Sequence, residues 1–388
     1  MDPQLMIIGG GPSGSTMATH VNDIDSVIVE EHTAVGSPIQ CTGLVHPRVV
    51  DMASASETIL NTITGFKLFF PGGRVLEVSS NDPKALAIDR KQFDEILSDH
   101  AIENGSKLLV SHRFEGFKRV GNALKVHLSS SDGPRYMNTS LLVGADGYKS
   151  MVGKSAGLNA CRETVRGIQT ELDICLEEQD KVEVYIGNNI APGFFAWVLP
   201  CGERTRVGLC VSRKYGTPNQ YLTTFLKRRG LDKAKRVELN AGVIPIGPPK
   251  KTVTDNILLI GDAAAQVKPL SGGGLFLGMR SAKKAAKVAM NSIAEEDFSE
   301  RSLSNYEGAW RSELGKEIER GILMRKVFTS MSDKKLDKIG EIMDRDDVKE
   351  ILATGDIDYP SNLAAPLLKT VPSLIKFSPH VIGQLLRR

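Results

Sequence analysis

Apolar and polar positions alternate in a way that divides the chain into short buried strands and helices. Gln4–Ile8 and Ser26–Val29 are brief apolar runs on either side of a glycine-rich turn, and between them Ser15–Val21 has the composition of a helix. Short apolar runs bounded by turn residues read as buried strands, so the first thirty residues predict β-turn-α-β. Much later Asn256–Ile260 repeats the buried-strand pattern. It ends in Gly261-Asp262-Ala263-Ala264-Ala265 and is followed by Pro269-Leu270-Ser271-Gly272-Gly273-Gly274, which opens a helix rich in small residues. Between these, Asp89 is placed to cap a helix beginning Arg90-Lys91-Gln92-Phe93-Asp94. The run Leu142-Val143 leads into the turn Gly144-Ala145-Asp146-Gly147. Phe195 and Trp197 alternate along a strand whose hairpin partner is Arg204–Val211, with Phe194 expected on the opposite face. Residues 303–354 read as helices, with Ser304 as a cap and a solvated face around Glu317, Glu319 and Arg320.

The composition is that of a folded protein: 388 residues, 41% apolar and 24% charged, enough for two or three domains and unlike a disordered chain. The 49 basic and 46 acidic residues leave a charge of only +3, which argues against nucleic acid as a partner. Five cysteines, Cys41, Cys161, Cys175, Cys201 and Cys210, form no CxxC pair. Their odd number argues against a disulfide framework and their spacing against a zinc site, so no metal is expected and a reducing cytoplasm is the natural setting. Acidic Asp2 and direct passage into a strand give no secretion signal, and no apolar run reaches the roughly 18 residues of a membrane-spanning helix.

The turn at Gly9-Gly10-Gly11-Pro12-Ser13-Gly14 has a chemistry to match its spacing. Gly9 makes the tight turn, Gly11 lets backbone approach a pyrophosphate, and Gly14 lets helix and strand pack closely. Phosphates then sit at a helix N-terminus. Glu30, sixteen residues past Gly14 at the end of the second strand, can accept both ribose hydroxyls of an adenosine. The fingerprint alone leaves NAD and FAD open, with Pro12 pointing to FAD. Asp262 at a strand end can hold a ribityl or ribose hydroxyl, and the Gly272–Leu275 amides can face the electron-rich end of an isoalloxazine ring. The plainer readings are a glycine-rich turn, an acidic strand end and a flexible loop.

In this order GxGPxG, DRxxFD, GADG and GDAAxxxxPxxGGG resemble the flavoprotein group of aromatic hydroxylases, flavin-dependent halogenases and geranylgeranyl reductases, over residues 4–295. Within it, Gly36-Ser37-Pro38-Ile39-Gln40-Cys41 is similar to the GxPxxC loop of the geranylgeranyl reductases. Phe195-Ala196-Trp197-Val198-Leu199-Pro200 is similar to their YxWxFP strand, with Phe195 and Leu199 as departures. The resemblance implies FAD as cofactor. Gly9, Gly11, Pro12, Ser13, Gly14 and Glu30 would hold the ADP half, and Arg90, the backbone near Phe114, Asp262, Gly273, Gly274 and Leu275 the remainder. Cys41 and Thr42 would lie at the flavin, and Phe195 and Trp197 would line an isoprenoid path. Two roles are open to Cys41: protonating the alkene carbon opposite the hydride, or lining the pocket. The implied activity is reduction of carbon–carbon double bonds in geranylgeranyl chains of archaeal membrane lipids or their precursors, with NAD(P)H or ferredoxin as electron donor. The alternatives are an FAD monooxygenase of an aromatic or polycyclic small molecule and a flavin-bearing electron carrier.

The expected fold is α/β. A discontinuous Rossmann-like FAD-binding domain spans 1–60, 80–165 and 251–300, an antiparallel-sheet substrate domain spans 61–79 and 166–250, and a C-terminal helical region spans 301–388. After Asp358 the chain has no acid, and Pro360, Pro366, Pro372 and Pro379 keep its helical pieces short. Lys369, Lys376, Arg387 and Arg388 accompany apolar Val381, Ile382, Leu385 and Leu386. This suits peripheral contact of residues 359–388 with the inner face of the cell membrane, or equally burial against the protein itself.

Overall fold

The computed structural model of the protein describes residues 2–158 and 161–377. The expected β-turn-α-β is present as the strand Leu5–Ile8, the helix Pro12–Thr19 and the strand Ser26–Val29, both strands wholly buried. The helix begins three residues earlier than its composition suggested. Proline fits the first helical turn, where its missing N–H has no partner to lose, and so the helix starts inside the glycine turn itself.

These strands lie in a six-stranded sheet. Its order is Val253–Thr254, Ile257–Leu259, Leu141–Gly144, Leu5–Ile8, Ser26–Val29 and Lys107–Leu109. All neighbours are parallel except the hairpin at the Val253 edge. Parallel strands buried on both faces read as continuous apolar runs, which is why they were legible. On one face Met17 and Ala18 pack with Phe93, Leu97 and the Ala282–Ala289 stripe of the helix Leu275–Ala294. On the other, the three-stranded sheet of Arg113–Val120, Ala123–Ser130 and Gly133–Thr139 covers Met6, Ile8 and Val27.

The second large sheet has seven strands: Arg236–Ile246, Glu163–Leu172, Arg204–Ser212, Phe195–Cys201, Lys181–Ile186, Gly65–Phe69 and Val75–Ser79. Every neighbouring pair is antiparallel except Lys181–Ile186 with Gly65–Phe69. The hairpin pairs Ala196 with Leu209 and Pro200 with Thr205. Phe195, Trp197, Leu199 and Cys201 face one core while Ala196 and Val198 face another, the alternation of a pleated strand. Phe194 does not take the opposite face. It precedes the strand, free of its alternation, and stacks on Phe195 with ring centroids 4.6 Å apart.

The helical region differs from expectation in two places. The cap is Ser299, whose Oγ accepts from the Ser302 amide, and the helix is Glu300–Trp310. Ser304 lies inside it and donates to the Glu300 carbonyl. Glu317 is not on a solvated face, since it is buried and accepts from the Ser361 amide and hydroxyl. Past Asp358 the prolines do divide the chain, into Pro360–Leu363, Ala364–Thr370 and Pro372–Phe377. Val381, Ile382, Leu385, Leu386 and the terminal arginines lie outside the described residues. Among the described residues no helix is long and apolar enough to cross a membrane.

Candidate functional site

The glycine turn is built as its spacing requires. Gly9 has φ +106, and a Cβ there would lie 2.4 Å from the Ala145 carbonyl oxygen. A Cβ at Gly14 would lie 2.0 Å from the Gly9 oxygen, so helix and strand touch through backbone alone. Gly11 is the opposite case. A Cβ there would meet nothing within 4 Å, and the residue opens a helix with no side-chain cap. Uncapped amides beside open space at a helix start suit a pyrophosphate, so the residues present fit a dinucleotide. Glu30 is 9% exposed. Its Oε2 accepts from the Gly10 amide at 2.9 Å, which leaves that oxygen a lone pair for a ribose hydroxyl, while its Oε1 is met by the His32 amide at 3.0 Å and by His32 Nδ1 at 2.6 Å.

Ser13 locks this turn to the distant motif. Its Oγ lies 2.4 Å from where a Cβ on either Gly261 or Gly278 would stand. Asp262 follows Gly261. Burial pushes its carboxyl up to about 6, with the charge of Arg90 acting in the opposite direction. A Cβ at Gly274 would lie 2.9 Å from Asp262 Oδ1, so the carboxylate faces the start of the helix Leu275–Ala294, which also has no side-chain cap. Gly273 passes its carbonyl to the Lys268 amide at 3.0 Å, and the side chain of Lys268 fills the space a Cβ would need there.

Asp89 caps the helix Arg90–Glu103, its Oδ1 accepting from the Lys91 and Gln92 amides. Arg90, at its first position, donates to both oxygens of Asp94 and lies beside the Cys41 side chain. Burial opposes the guanidinium charge, but Asp94 and Cys41 outweigh it and hold Arg90 above its usual pKa. Cys41 Sγ also accepts from the Gly43 amide at 3.4 Å. The structure therefore brings Cys41, Thr42, Arg90 and Asp262 into one neighbourhood. The side chain of Phe114, by contrast, is buried in the core under the three-stranded sheet. It adjoins the site only through its chain neighbours, since the Ser111 and His112 amides donate to the carbonyls of His32 and Glu30.

Phe195 and Trp197 form an edge-to-face pair, centroids 6.0 Å apart, in an apolar cluster with Leu44, Val184, Ile244 and Ile357. Trp197 Nε1 donates to Gln169 Oε1 at 3.1 Å, which satisfies its one polar atom. The cluster reaches the triple glycine: a Cβ at Gly272 would lie 2.6 Å from Ile244 and 3.3 Å from the Phe194 ring.

Sequence reasoning missed two groups. Arg206, 7% exposed, donates through Nη1 to the carbonyls of Thr42 and Ile88, both at 2.8 Å, and through Nε to Glu171 at 2.9 Å. It fastens the cysteine loop to the seven-stranded sheet. Lys268, 7% exposed, donates to the Ile357 carbonyl and to Asp358 Oδ1, both at 2.9 Å, and so ties the glycine loop to the C-terminal segment. A cation in a largely apolar strand was the only signal for Arg206, and Lys268, in the loop before the triple glycine, had none. Cys201 and Cys210 are buried core thiols, their pKa pushed by burial to about 11 and about 12.

This fold and this dinucleotide cradle define an FAD-dependent oxidoreductase, and residues 2–313 match the FAD binding domain family. Two proteins of Methanocaldococcus jannaschii are each 31% identical to the chain. One is uncharacterised and aligns over 95% of this chain and 96% of its own. The other is a digeranylgeranylglycerophospholipid reductase and aligns over 90% and 93%. The protein belongs to the digeranylgeranylglycerophospholipid reductase family. Its fold is shared with the crystal structure of a geranylgeranyl bacteriochlorophyll reductase-like protein from Thermoplasma acidophilum, with TM-score 0.88 at 21% identity over 98% of this chain and 99% of that one.

Proposed function

We propose that the protein saturates carbon–carbon double bonds of geranylgeranyl chains in membrane phospholipids or their precursors. The observation that carries this reading is the apolar aromatic wall of Phe194, Phe195 and Trp197, which runs up to the triple-glycine loop. A polyprenyl chain needs such a surface, whereas a hydroxylated aromatic would need polar partners along it.

Gly9, Gly11, Pro12, Ser13, Gly14 and Glu30 hold the ADP half of FAD. Asp262 accepts from the ribityl chain, Arg90 and the backbone near Phe114 add contacts, and Gly273, Gly274 and Leu275 face the ring. When bound, FAD supplies the hydride. The protein's own task is to seat one alkene against that ring, exclude water through the Phe195–Trp197 wall, and provide a proton to the second carbon. Arg206 fixes Thr42 and the Gly43 amide holds Cys41 Sγ, so the loop that meets the substrate is held in place. Cys41→Ala separates the two roles open to this thiol: a proton donor loses turnover with FAD content retained, whereas a lining residue leaves turnover nearly unchanged.

The flavin takes electrons from NAD(P)H or ferredoxin in the cytoplasm, where the free thiols stay reduced. Contact with the membrane is peripheral, through the exposed part of the tail at Ile375 and Lys376. The test is incubation with a geranylgeranyl phospholipid and reductant under nitrogen. Products heavier by two hydrogens per double bond are expected. NADPH oxidation that instead requires oxygen and an aromatic substrate overturns the reading.

A further inference from the structure

A cavity of about 800 Å3 opens beside the aromatic wall. It is bordered by the loop after the strand Leu141–Gly144, by the start of Glu163–Leu172, and by Ser212–Tyr215 at the end of the hairpin. Four of its lining side chains are cations: Lys149, Arg162, Arg213 and Lys214. One is an acid, Glu163, and both of its oxygens are taken by Arg325, which is 3% exposed, at 2.7 and 3.2 Å. Among the described residues Lys149, Arg213 and Lys214 make no ion pair, and the two lysines rest over the rings of Tyr148 and Tyr215. The cavity therefore presents net positive charge that the protein itself leaves unneutralised.

The cavity adjoins the aromatic cluster along the chain. Gly193 lines the cavity, and the next residue, Phe194, stacks on Phe195 and lies against Gly272. The cationic lining and the aromatic cluster are thus one residue apart along the chain. That polarity matches a molecule with an anionic phosphate at one end and an apolar chain at the other. Guanidinium groups bind phosphate through paired N–H donors, and a volume of several hundred Å3 suits a headgroup with the first part of its chains.

We propose that Lys149, Arg162, Arg213 and Lys214 form the subsite for the phosphate headgroup of the isoprenoid lipid, an inference that rests on the reductase reading. The subsite sets how the lipid enters. With the phosphate held at the mouth, the chains run inward past Phe194 to the flavin, and a headgroup-free prenyl lipid loses that registration.

The test uses the full-length holoprotein with dithionite as reductant, which removes any need for a donor protein or nicotinamide. A digeranylgeranyl glycerophospholipid and the headgroup-free digeranylgeranylglycerol are compared in wild type and in Arg213→Gln/Lys214→Gln. Lipid binding is followed in parallel by Trp fluorescence, because Trp197 stands in the wall. Wild type is expected to bind the phospholipid more tightly. The double variant should raise its KM about tenfold with little change in kcat, and leave the KM of the headgroup-free lipid within about twofold. Equal affinity of wild type for the two lipids, or equal KM shifts for both, overturns the proposal. So does loss of NADPH-driven turnover with dithionite-driven turnover intact, which would make the cations a donor site. If wild type binds the phospholipid selectively, the variant loses that selectivity and no saturated product forms, the reductase reading fails while the headgroup subsite stands.

Discussion

Gly11 and Gly14 are three residues apart in one turn, yet the structure gives substitution at each a different consequence. At Gly14 an added Cβ stands 2.0 Å from the Gly9 carbonyl oxygen and 3.3 Å from the Ala145 Cβ. That is about 1 Å inside any ordinary approach, and the first obstacle is backbone, so strand and helix must separate. Overpacking of this kind costs about 1–3 kcal/mol in the apoprotein itself. At Gly11 the Cβ meets nothing within 4 Å, and φ −67, ψ 178 is a backbone conformation any residue adopts. The poorer capping by alanine is offset by the reduced freedom of the unfolded chain, so apoprotein stability should stay within about 1 kcal/mol of wild type. The methyl nevertheless stands where a pyrophosphate approaches. The same overpacking cost of about 1–3 kcal/mol then falls on binding, weakening FAD by roughly 5- to 150-fold. Urea unfolding of the two apoproteins and titration of each with FAD by flavin fluorescence measure both quantities. If Gly11→Ala binds FAD like wild type, or is destabilised as much as Gly14→Ala, the assignment of Gly11 to the pyrophosphate is wrong.

Other substitutions probe the groups around the site. Arg206→Met removes its hydrogen bonds to the half-buried Thr42 carbonyl and the buried Ile88 carbonyl, the latter at about 1–3 kcal/mol; turnover should fall more than FAD content, and a variant with wild-type kcat would show that the cysteine loop does not need this anchor. Asp262 titrates near 6 when folded and near 3.8 otherwise, so the folded apoprotein keeps a proton that the unfolded chain has lost. Its stability therefore falls as pH rises from about 4 to about 6, and Asp262→Asn should flatten that part of the profile; an unaltered slope in urea unfolding would refute the assignment. Lys268→Met leaves the buried Asp358 carboxylate with only Arg48, at 3.8 Å, at a cost of at most about 3–5 kcal/mol, and limited proteolysis should find a new cleavage site near Asp356–Ser361; an unchanged digestion pattern and melting temperature would refute the tether.

The parts of the site that were legible from the chain are those whose chemistry is local. The close approach of Gly14 to Gly9 and the Asp89 cap owe their form to neighbours within a few residues, so spacing sufficed. The parallel strands were equally plain because burial on both faces leaves an unbroken apolar run. Arg206 to Thr42 and Lys268 to Asp358 are contacts across 164 and 90 residues, and no local pattern announces a pairing over such a span. The same holds for Glu317, which a charged stretch made look solvated. Ser361 supplies its partner from 44 residues away and draws it inside. Phe194 was placed on the wrong face because the strand begins one residue later than the aromatic run does.

The proposed transfer of electrons from the reduced flavin to an isolated prenyl double bond is visible in a single turnover. Protein reduced with one equivalent of dithionite is mixed under nitrogen with a digeranylgeranyl glycerophospholipid, and the flavin spectrum and lipid mass are followed together. The flavin should reoxidise in step with a gain of two hydrogens on the lipid. A flavin that stays reduced until oxygen is admitted, with the lipid mass unchanged, would contradict the account.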